Sequence, residues 1–483
     1  VAINAKSSAK WTVIRMASCC GGFTNVELLP GFTPIDIQNM TVHSEARLLY
    51  TEKRNFEKMD FEKMPLLMAA IELSTGEILA SRGDFAKIYA EHKAEKITAE
   101  EFCTAEQDLD RICDIMYTSG STGNPKGVML SIRNFGANEY IVPKRMYYHE
   151  GATLLSFLPY AHIFGLTVEL TLALCNGMHL YVLEQPPVPT ILQKAFKEVK
   201  PIMYFSVPMV LLKFIRAVIG KDLNTAEGKA KYDANDPEFL GMLHNKMTEA
   251  LGGNVQQIFT GAAAIPYETE DLIINKLGLP MITGYGMTEV AGMLSNGLVA
   301  TYKIGSVGEV MANLGVRVDS PDPFNIPGEI QVKGDQVFQG YFKNPQATAE
   351  CFTYDGWYRT GDIGKITQDR TVYVSGRCKS LLLGSNGQNI YPEEIEVILN
   401  TLPYVEESLI VQRGENRTAL IVLASDSIAG AGLDEATIRK IMDQNIKDLN
   451  KQIPTYALVS DYQIMDEPFE KTPKGSIRRF RYA

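Results

Sequence analysis

The sequence predicts an α/β protein that ends in a small α+β domain. Short β-branched or aromatic runs alternate with helical stretches along most of the chain, a pattern typical of mainly parallel sheets. Over residues 305–341 glycine and proline become dense and the strands short, which indicates a small antiparallel barrel or sheet. A new unit begins after residues 377–379, so we expect a large domain over residues 1–378 and a small one over residues 379–483.

The elements follow one another in the order that a βαβ pattern requires. A strand at residues 1–4 is followed by a helix at residues 11–16, and the polar residues 222–237 are expected to form a surface insertion. Further on we expect strands at 154–158, 202–206, 304–311, 315–318 and 329–333, and helices at 191–199 and 210–218.

Composition excludes several classes of protein. Of the 483 residues, 45% are apolar and 22% charged, which is ordinary for a globular chain. The net charge of −10 argues against broad nucleic-acid binding, since phosphate neutralisation needs clustered Lys and Arg. No apolar run reaches the ~18 residues that span a bilayer. The 7 cysteines include no Cys-x-x-Cys pair, so we expect reduced thiols and a cytoplasmic protein.

The most informative segment is a strand that runs into a loop of glycine and hydroxyl residues. Backbone N–H groups in such a loop close around a phosphate, and a lysine adds positive charge. It is not a Walker A loop, because no Gly-Lys-Ser/Thr ends it and Pro125 precedes the lysine. We expect a helix to follow at residues 129–138; the alternative is a flexible surface turn. The candidate phosphate-binding residues are Thr118, Ser119, Gly120, Ser121, Thr122, Gly123 and Lys126.

This loop resembles the nucleotide-phosphate loop of the adenylate-forming superfamily, which includes acyl-CoA synthetases, luciferases and peptide-synthetase adenylation domains. The likeness covers nearly the whole chain. It implies a large N-terminal body of two α/β subdomains plus a small β-barrel-like part, followed by a small mobile α+β C-terminal domain. By that resemblance, a further stretch should precede Val1. The other motifs that carry it, in the order of the family, are residues 156–165, 259–265, 283–289, 328–330, 340–341, 357–362, 376–379 and 387–396.

The resemblance implies a two-step reaction. A carboxylate attacks the α-phosphorus of ATP and releases pyrophosphate, and the acyl-adenylate then reacts with the thiol of coenzyme A. A carboxylic acid is already ionised at neutral pH, so the first step needs no general base. The obstacle is repulsion between two anions, so the site must supply donors, a cation and Mg²⁺. ATP, Mg²⁺ and coenzyme A are therefore the expected cofactors.

The resemblance also gives individual residues their roles. Glu289 is the expected Mg²⁺ ligand, because Mg²⁺ combines few carboxylates with phosphate oxygens, and Thr288 would donate to the α-phosphate. Tyr285 offers a flat face to adenine, Asp362 accepts from the ribose hydroxyls and Arg377 lies near them. Alternatively, Glu289 is a solvated carboxylate, Tyr285 a packed aromatic, and Asp362 a ligand of its own turn. The remaining residues of the adenine site would be Gly261, Ala262, Ala263, Gly284, Gly286 and Met287.

The resemblance implies roles for three further positions. His162 lines the carboxylate and acyl end of the pocket in the family, but a histidine in an apolar segment is as often a buried structural residue. Lys379 is at the hinge position of the family, where an acidic residue usually follows instead of Ser380. Gly387 suits a loop beside the pantetheine tunnel, where only glycine allows close backbone approach; the alternative is a simple turn.

The C-terminus departs most from the family. The family pattern Lys-Thr-x-x-Gly-Lys-Ile-x-Arg places its catalytic lysine where this chain has Ser476, and a hydroxyl cannot replace an ammonium ion. We hypothesise that Lys474 takes over, as it is only two residues away. The alternative is that Lys471, Lys474, Arg478 and Arg479 form a solvated basic face.

The acyl-site motifs are most like those of the bacterial long-chain fatty acid–CoA ligases, so a small-molecule medium- or long-chain fatty acid is the expected substrate. Two alternatives remain: an enzyme that delivers the acyl group to a carrier protein, and a nucleotide-binding homologue with impaired adenylation. A homodimer and a peripheral membrane contact are compatible with the sequence. The residues expected to line an apolar tunnel are Phe205, Val207, Met209, Leu211 and Met281.

Overall fold

The fold is α/β, with a large N-terminal domain and a small C-terminal one, as the sequence predicts. The structure is a computed structural model that describes residues 1–96, 98, 100, 108–119, 125–383, 388–414, 416–472 and 475–482; for Ser119 and Asp426 it describes only the backbone. No helix in these ranges is long and apolar enough to cross a membrane.

The first sheet has five strands, of which four are parallel and the last is antiparallel to its neighbour. The predicted opening strand and helix are both present. In spatial order the strands are Val26–Leu28, Ala2–Asn4, Leu48–Thr51, Ala69–Glu72 and Ile78–Ser81. The helices of this region are Ala9–Cys20, Pro34–His43, Lys53–Phe56 and Phe85–His92.

The candidate phosphate loop joins two antiparallel strands, Ile112–Ser119 and Pro125–Ser131, and the short strand Gly340–Tyr341 pairs with the second of them. The expectation of a helix over residues 129–138 is therefore wrong in its first part. Val128 and Leu130 are fully buried and Met129 between them is half-buried, and pairing with residues 112–119 makes this segment a strand.

The helix Ile132–Ile141 begins only after this strand. Ser131 caps it, since Ser131 Oγ accepts from the Asn134 amide and Asn134 Oδ1 accepts from the Ser131 amide. The candidate loop is thus the end of a hairpin and does not lead directly into a helix.

The second sheet is entirely parallel, and three of the motif segments follow its strands. In spatial order its strands are Met281–Thr283, Gln257–Thr260, Met203–Ser206, Thr153–Ser156 and His179–Val182. The insertion at residues 222–237 contains a surface helix whose only buried residue is Gly228. The helices here are Leu172–Cys175, Pro189–Val199, Pro208–Leu223, Ala226–Asp233, Pro237–Ala250 and Tyr267–Asp271, with π-helical turns at Gly165–Thr171 and Leu272–Lys276.

The small antiparallel part is a four-stranded sheet, and the helix Pro345–Glu350 packs against the short strand Gly340–Tyr341. Ser295–Asn296 and Glu309–Val310 form a separate pair, and Glu309 also bridges to Thr371 at the edge of the larger sheet. The four strands, in spatial order, are Gly315–Asp319, Gly328–Lys333, Tyr358–Ile366 and Val372–Arg377.

The C-terminal residues fold around a core of their own. Its buried members include Ile395, Ile421, Met442 and Leu449. The strands are Val405–Arg413, Asn416–Leu423 and Asp461–Ile464, with a two-stranded pair at Leu382–Leu383 and Asn389–Ile390. The helices are Pro392–Leu399, Ser425–Ala431 and Glu435–Gln452.

A buried ion cluster fastens the first sheet to the hairpin of the candidate loop. Arg15 Nη2 lies 2.9 Å from Asp114 Oδ2, and Arg15 Nε lies 3.4 Å from Glu27 Oε1. All three residues are at most 3% exposed. Burial and the nearby Asp114 carboxyl raise the pKa of Glu27 well above its usual range. Arg15 is therefore the cation that makes two buried carboxyl groups tolerable.

We expect Arg15→Met to lower the free energy of unfolding by about 3–5 kcal/mol, because it leaves the buried Asp114 carboxylate without its guanidinium partner. The midpoint of chemical denaturation measures this loss. Arg54→Met is the matched control, since Arg54 pairs with Glu52 at the surface with its side chain 74% exposed. Equal midpoints for the two variants would contradict a stabilising role of Arg15.

Candidate active site

Three of the predicted motif segments leave the parallel sheet at the same edge. The acyl-site segment follows Ser156, the adenine turn follows Thr260, and the segment 284–289 follows Thr283. Parallel strands place their carboxyl ends together, and ligands of such sheets bind there. The Gly284 amide donates to Thr260 O at 2.9 Å, which joins two of these turns directly.

Close backbone packing requires two of the predicted glycines. A Cβ on Gly284 would lie 2.1 Å from Phe259 Cζ, and one on Gly286 would lie 1.6 Å from Gly292 O. Ala262 has a φ of 66°, while its side chain and that of Ala263 are exposed. The two glycines bring the turns together, and the alanines leave an open face.

Tyr285, Asp362 and Arg377 meet, as the resemblance implies. Tyr285 Oη donates to Asp362 Oδ2 at 2.5 Å, and Arg377 Nε lies 3.1 Å from Asp362 Oδ1. The Asp362 carboxylate thus bonds Tyr285 and Arg377 instead of the amides of its own turn. Burial raises the pKa of Asp362, and Arg377 opposes that shift. Burial and the Asp362 charge also raise the pKa of Tyr285, which keeps its hydroxyl a donor.

Glu289 and Lys126 lie on two sides of Tyr341. The Tyr341 hydroxyl donates to Glu289 Oε1 at 3.0 Å, and Lys126 Nζ lies 4.8 Å from the centre of the Tyr341 ring. Thr288 precedes Glu289 in a short 3-10 turn and is buried. Within the described ranges no group of three or more His, Cys, Asp or Glu residues could hold a metal ion. A single carboxylate fits Mg²⁺ that takes its other ligands from phosphate and water.

Buried amide side chains hold the Glu289 segment in place, and the sequence did not point to them. Asn138 Nδ2 donates to Ala291 O at 3.1 Å, and Gln336 Nε2 donates to Asn138 Oδ1 at 3.2 Å. One helical turn earlier, Asn134 Nδ2 donates to Val337 O at 2.9 Å. The sequence feature that could have indicated them is the pair of asparagines at positions i and i+4 on a buried helix face, because buried amide groups need hydrogen-bond partners.

His162 lies at the end of the turn that leaves the sheet after Ser156. Its amide donates to Pro159 O at 3.0 Å, and its Nδ1 accepts from the Phe164 amide at 3.2 Å. The Phe164 ring lies 5.7 Å from that of Phe259 and 6.4 Å from that of Phe205. Phe164, whose amide donates to His162, is therefore part of a cluster of three aromatic rings.

The five residues expected to line a tunnel do not share one environment. Met209 is 51% exposed, so its place in an apolar lining is not supported. Leu211 and Met281 pack in a core beneath the helices, and Phe205 belongs to the central core. Val207 is half-buried at the end of its strand.

The hinge and C-terminal predictions are described only in part. Lys379 is exposed in the turn after Val372–Arg377, and Ser476 is exposed as well. Lys471 lies 2.5 Å from Glu407, and Arg478 and Arg479 also pair with glutamates, so these three cations are not a freely solvated face. The predicted site residues outside the described residues are Gly120, Ser121, Thr122, Gly123, Gly387 and Lys474, and only the backbone of Ser119 is described.

Comparison with known proteins gives two family matches along the chain. The AMP-binding enzyme profile matches residues 1–342, and the profile of the AMP-binding enzyme C-terminal domain matches residues 379–482.

Similar proteins include a long-chain-fatty-acid–CoA ligase 4 from Saccharomyces cerevisiae, 33% identical over 63% of this chain and 46% of the relative. The chain thus spans less than half the length of that relative. 4-Coumarate–CoA ligase 2 from Solanum tuberosum is 28% identical, and the alignment covers 93% of this chain and 77% of that ligase. A similar solved structure is the O-succinylbenzoate coenzyme A synthetase of Bacillus subtilis in complex with ATP and a magnesium ion. It superimposes with a TM-score of 0.74 at 20% sequence identity, over 99% of this chain and 88% of the synthetase.

We expect Gly284→Ala to destabilise the protein by roughly 1–3 kcal/mol, because the new Cβ collides with a Phe259 ring that its aromatic neighbours hold in place. Binding of ATP, measured by calorimetry, should weaken about ten-fold as the adenine turn shifts. Gly241→Ala is the matched control, since a Cβ there meets nothing within 4 Å.

Replacing Phe259 by leucine in the Gly284→Ala background should restore part of both losses. If Gly284→Ala alone unfolds at the wild-type midpoint and binds ATP normally, the collision does not constrain the turn.

Proposed function

The chain belongs to the AMP-binding enzyme family, and we propose that it activates a carboxylic acid with ATP and transfers the acyl group to coenzyme A, releasing AMP and pyrophosphate. The observation that carries the proposal is that Tyr285, in the turn that leaves the parallel sheet and contains Glu289, contacts Asp362 of the small antiparallel sheet, which pairs with Arg377. Those residues offer an aromatic face, a hydroxyl acceptor, a guanidinium and a metal-binding carboxylate, which together suit a nucleoside triphosphate.

In the first step the residues act through position and charge. Asp362 accepts from the ribose hydroxyls and Arg377 holds the same end of the nucleotide. Lys126 and the Thr288 hydroxyl face the phosphates, where they offset the repulsion between the incoming carboxylate and ATP. Glu289 would hold Mg²⁺, which supplies further neutralisation of the phosphate oxygens. His162 lines the acyl end.

For the acid itself we propose a medium- or long-chain fatty acid. The likeness to the yeast long-chain ligase supports this, as does the cluster of aromatic rings that begins at Phe164, two residues after His162. An aryl acid is the second candidate. The potato 4-coumarate ligase, which aligns with 93% of the chain, supports this candidate.

The deciding experiment is ATP–pyrophosphate exchange with acids from acetate to palmitate and with 4-coumarate, with and without coenzyme A. Exchange with an apolar acid and formation of its CoA thioester support the ligase. Exchange without thioester formation, but with transfer to a carrier protein, supports the carrier-dependent enzyme. ATP binding without exchange for any acid supports the impaired homologue and overturns the proposed activity.

We propose the cytoplasm as the location, with the hinge at Lys379 and the domain boundary after residue 378. Coenzyme A would approach past Gly387. A homodimer and a peripheral membrane contact belong to the same proposal, and gel filtration and vesicle flotation test them.

We further propose that Lys474 supplies the positive charge that Ser476 lacks. Lys474→Ala should lower the adenylation rate about 10²–10³-fold, the cost of losing one electrostatic contact to the transition state. Lys471→Ala is the matched control, because Lys471 already pairs with Glu407. Pyrophosphate exchange measures both rates.

An unaffected Lys474→Ala enzyme would refute this assignment. Ser476→Lys, introduced in the Lys474→Ala background, should restore the rate if a single ammonium group at this loop is what the reaction needs.

A further inference from the structure

The π-helical turn Gly165–Thr171 touches both sides of the proposed site. Glu169 Oε2 accepts three hydrogen bonds from donors at the start of the acyl-site turn. They come from Ser156 Oγ at 2.8 Å, the Phe157 amide at 3.0 Å and the Leu158 amide at 2.8 Å. From Thr167, Oγ1 donates to Ala291 O at 2.8 Å, next to the Glu289 segment. π-Helical turns are rare and occur frequently at functional sites.

The acyl-site turn is also fixed from its other side. Ser7 Oγ accepts from the Tyr160 amide at 2.9 Å and donates to Leu158 O at 3.2 Å. Gly165 allows the π-helical turn to approach closely, because a Cβ there would lie 2.6 Å from Pro159 O. The backbone that leads to His162 therefore depends on one buried side chain and one serine.

Glu169 is a carboxyl group in an environment that disfavours its charge. It is 0% exposed, and within the described part of the chain it forms no ion pair and its Oε1 has no hydrogen-bond partner. All three donors converge on Oε2, so a proton can reside on Oε1 without breaking any of these bonds. Burial without a cation disfavours the anion.

The groups that face Glu169 are the tyrosines Tyr148, Tyr160 and Tyr204. Burial raises the pKa of each, so they remain neutral while Glu169 titrates. Burial raises the pKa of Glu169 to about 8. The group is therefore protonated and neutral below pH 8 and becomes an anion above it.

We propose that Glu169 is a positioning residue that holds the acyl-site turn, and with it His162, in the geometry for acid activation, and that this turn accepts the acid only while the Glu169 carboxyl group is neutral. The inference rests on the proposed function. Ionisation would place a buried negative charge beside the turn that must accept a carboxylate substrate. The acid would then bind more weakly, while the ATP side of the site is unaffected.

The test is the pH profile of ATP–pyrophosphate exchange, from about pH 6 to about pH 10, for wild type and Glu169→Gln. In wild type, kcat/KM for the acid should fall about ten-fold per pH unit above a midpoint near pH 8, while the KM for ATP stays constant. Glu169→Gln keeps an acceptor oxygen but cannot ionise. It should match wild type at pH 7 within about three-fold and remain active beyond pH 9.

Glu139→Gln is the matched control. Burial raises the pKa of Glu139 to about 8 as well, but no hydrogen bond joins it to the acyl-site turn. This variant should keep the alkaline fall of wild type. A fall that persists in Glu169→Gln, or disappears in Glu139→Gln alone, would overturn the role of Glu169.

Glu169→Leu gives a second readout. Without the acceptor the turn loses three bonds, so the KM for the acid should rise at least about ten-fold at pH 7 with the KM for ATP unchanged. If this variant does not fold, the Glu169→Gln profile still decides. Absence of exchange in wild type at every pH overturns the proposed function and this inference together, whereas normal exchange with unshifted profiles overturns only the inference.

Discussion

The candidate site depends on one constraint, the parallel register of the second sheet. Phe205 pairs with Phe259, and Phe259 pairs with Ile282, so three neighbouring strands end at one level. Because all of these strands run in the same direction, the turns that follow them lie side by side. Each turn carries its own functional side chains, but the sheet determines where the three turns meet. A shift of one residue in this register would turn every side chain of a strand to the other face.

Several features of this arrangement could be predicted from the sequence. Short strands and helices are specified by local periodicity, and Gly284 and Gly286 stand where any side chain would collide with Phe259 or Gly292. The hairpin at the candidate loop resembles a strand–helix unit in the sequence because Val128 and Leu130 suit both a strand and a helix, and only pairing with residues 112–119 decides between them.

The positioning contacts could not be predicted, because they join distant parts of the chain. Asn138 reaches Ala291 across 153 positions, and Ser7 reaches Tyr160 across 153. A single sequence contains no signal for the partner of a buried amide or hydroxyl. The burial of Glu169 could likewise not be predicted from the sequence, because a glutamate in an apolar segment can also extend its side chain to solvent. Buried polar groups of this kind fix a unique geometry at a cost in desolvation.

Tyr341 connects the hairpin of the candidate loop to the Glu289 segment. It lies on a short strand that pairs with Val128 and Met129 of the hairpin, its ring faces Lys126, and its hydroxyl holds Glu289. A displacement of the hairpin would therefore move the Lys126 ammonium group and the Glu289 carboxylate together, because Tyr341 contacts both. The two opposite charges that the proposed site offers to a polyphosphate are therefore coupled through one aromatic side chain, and a change at Tyr341 would disturb both of them.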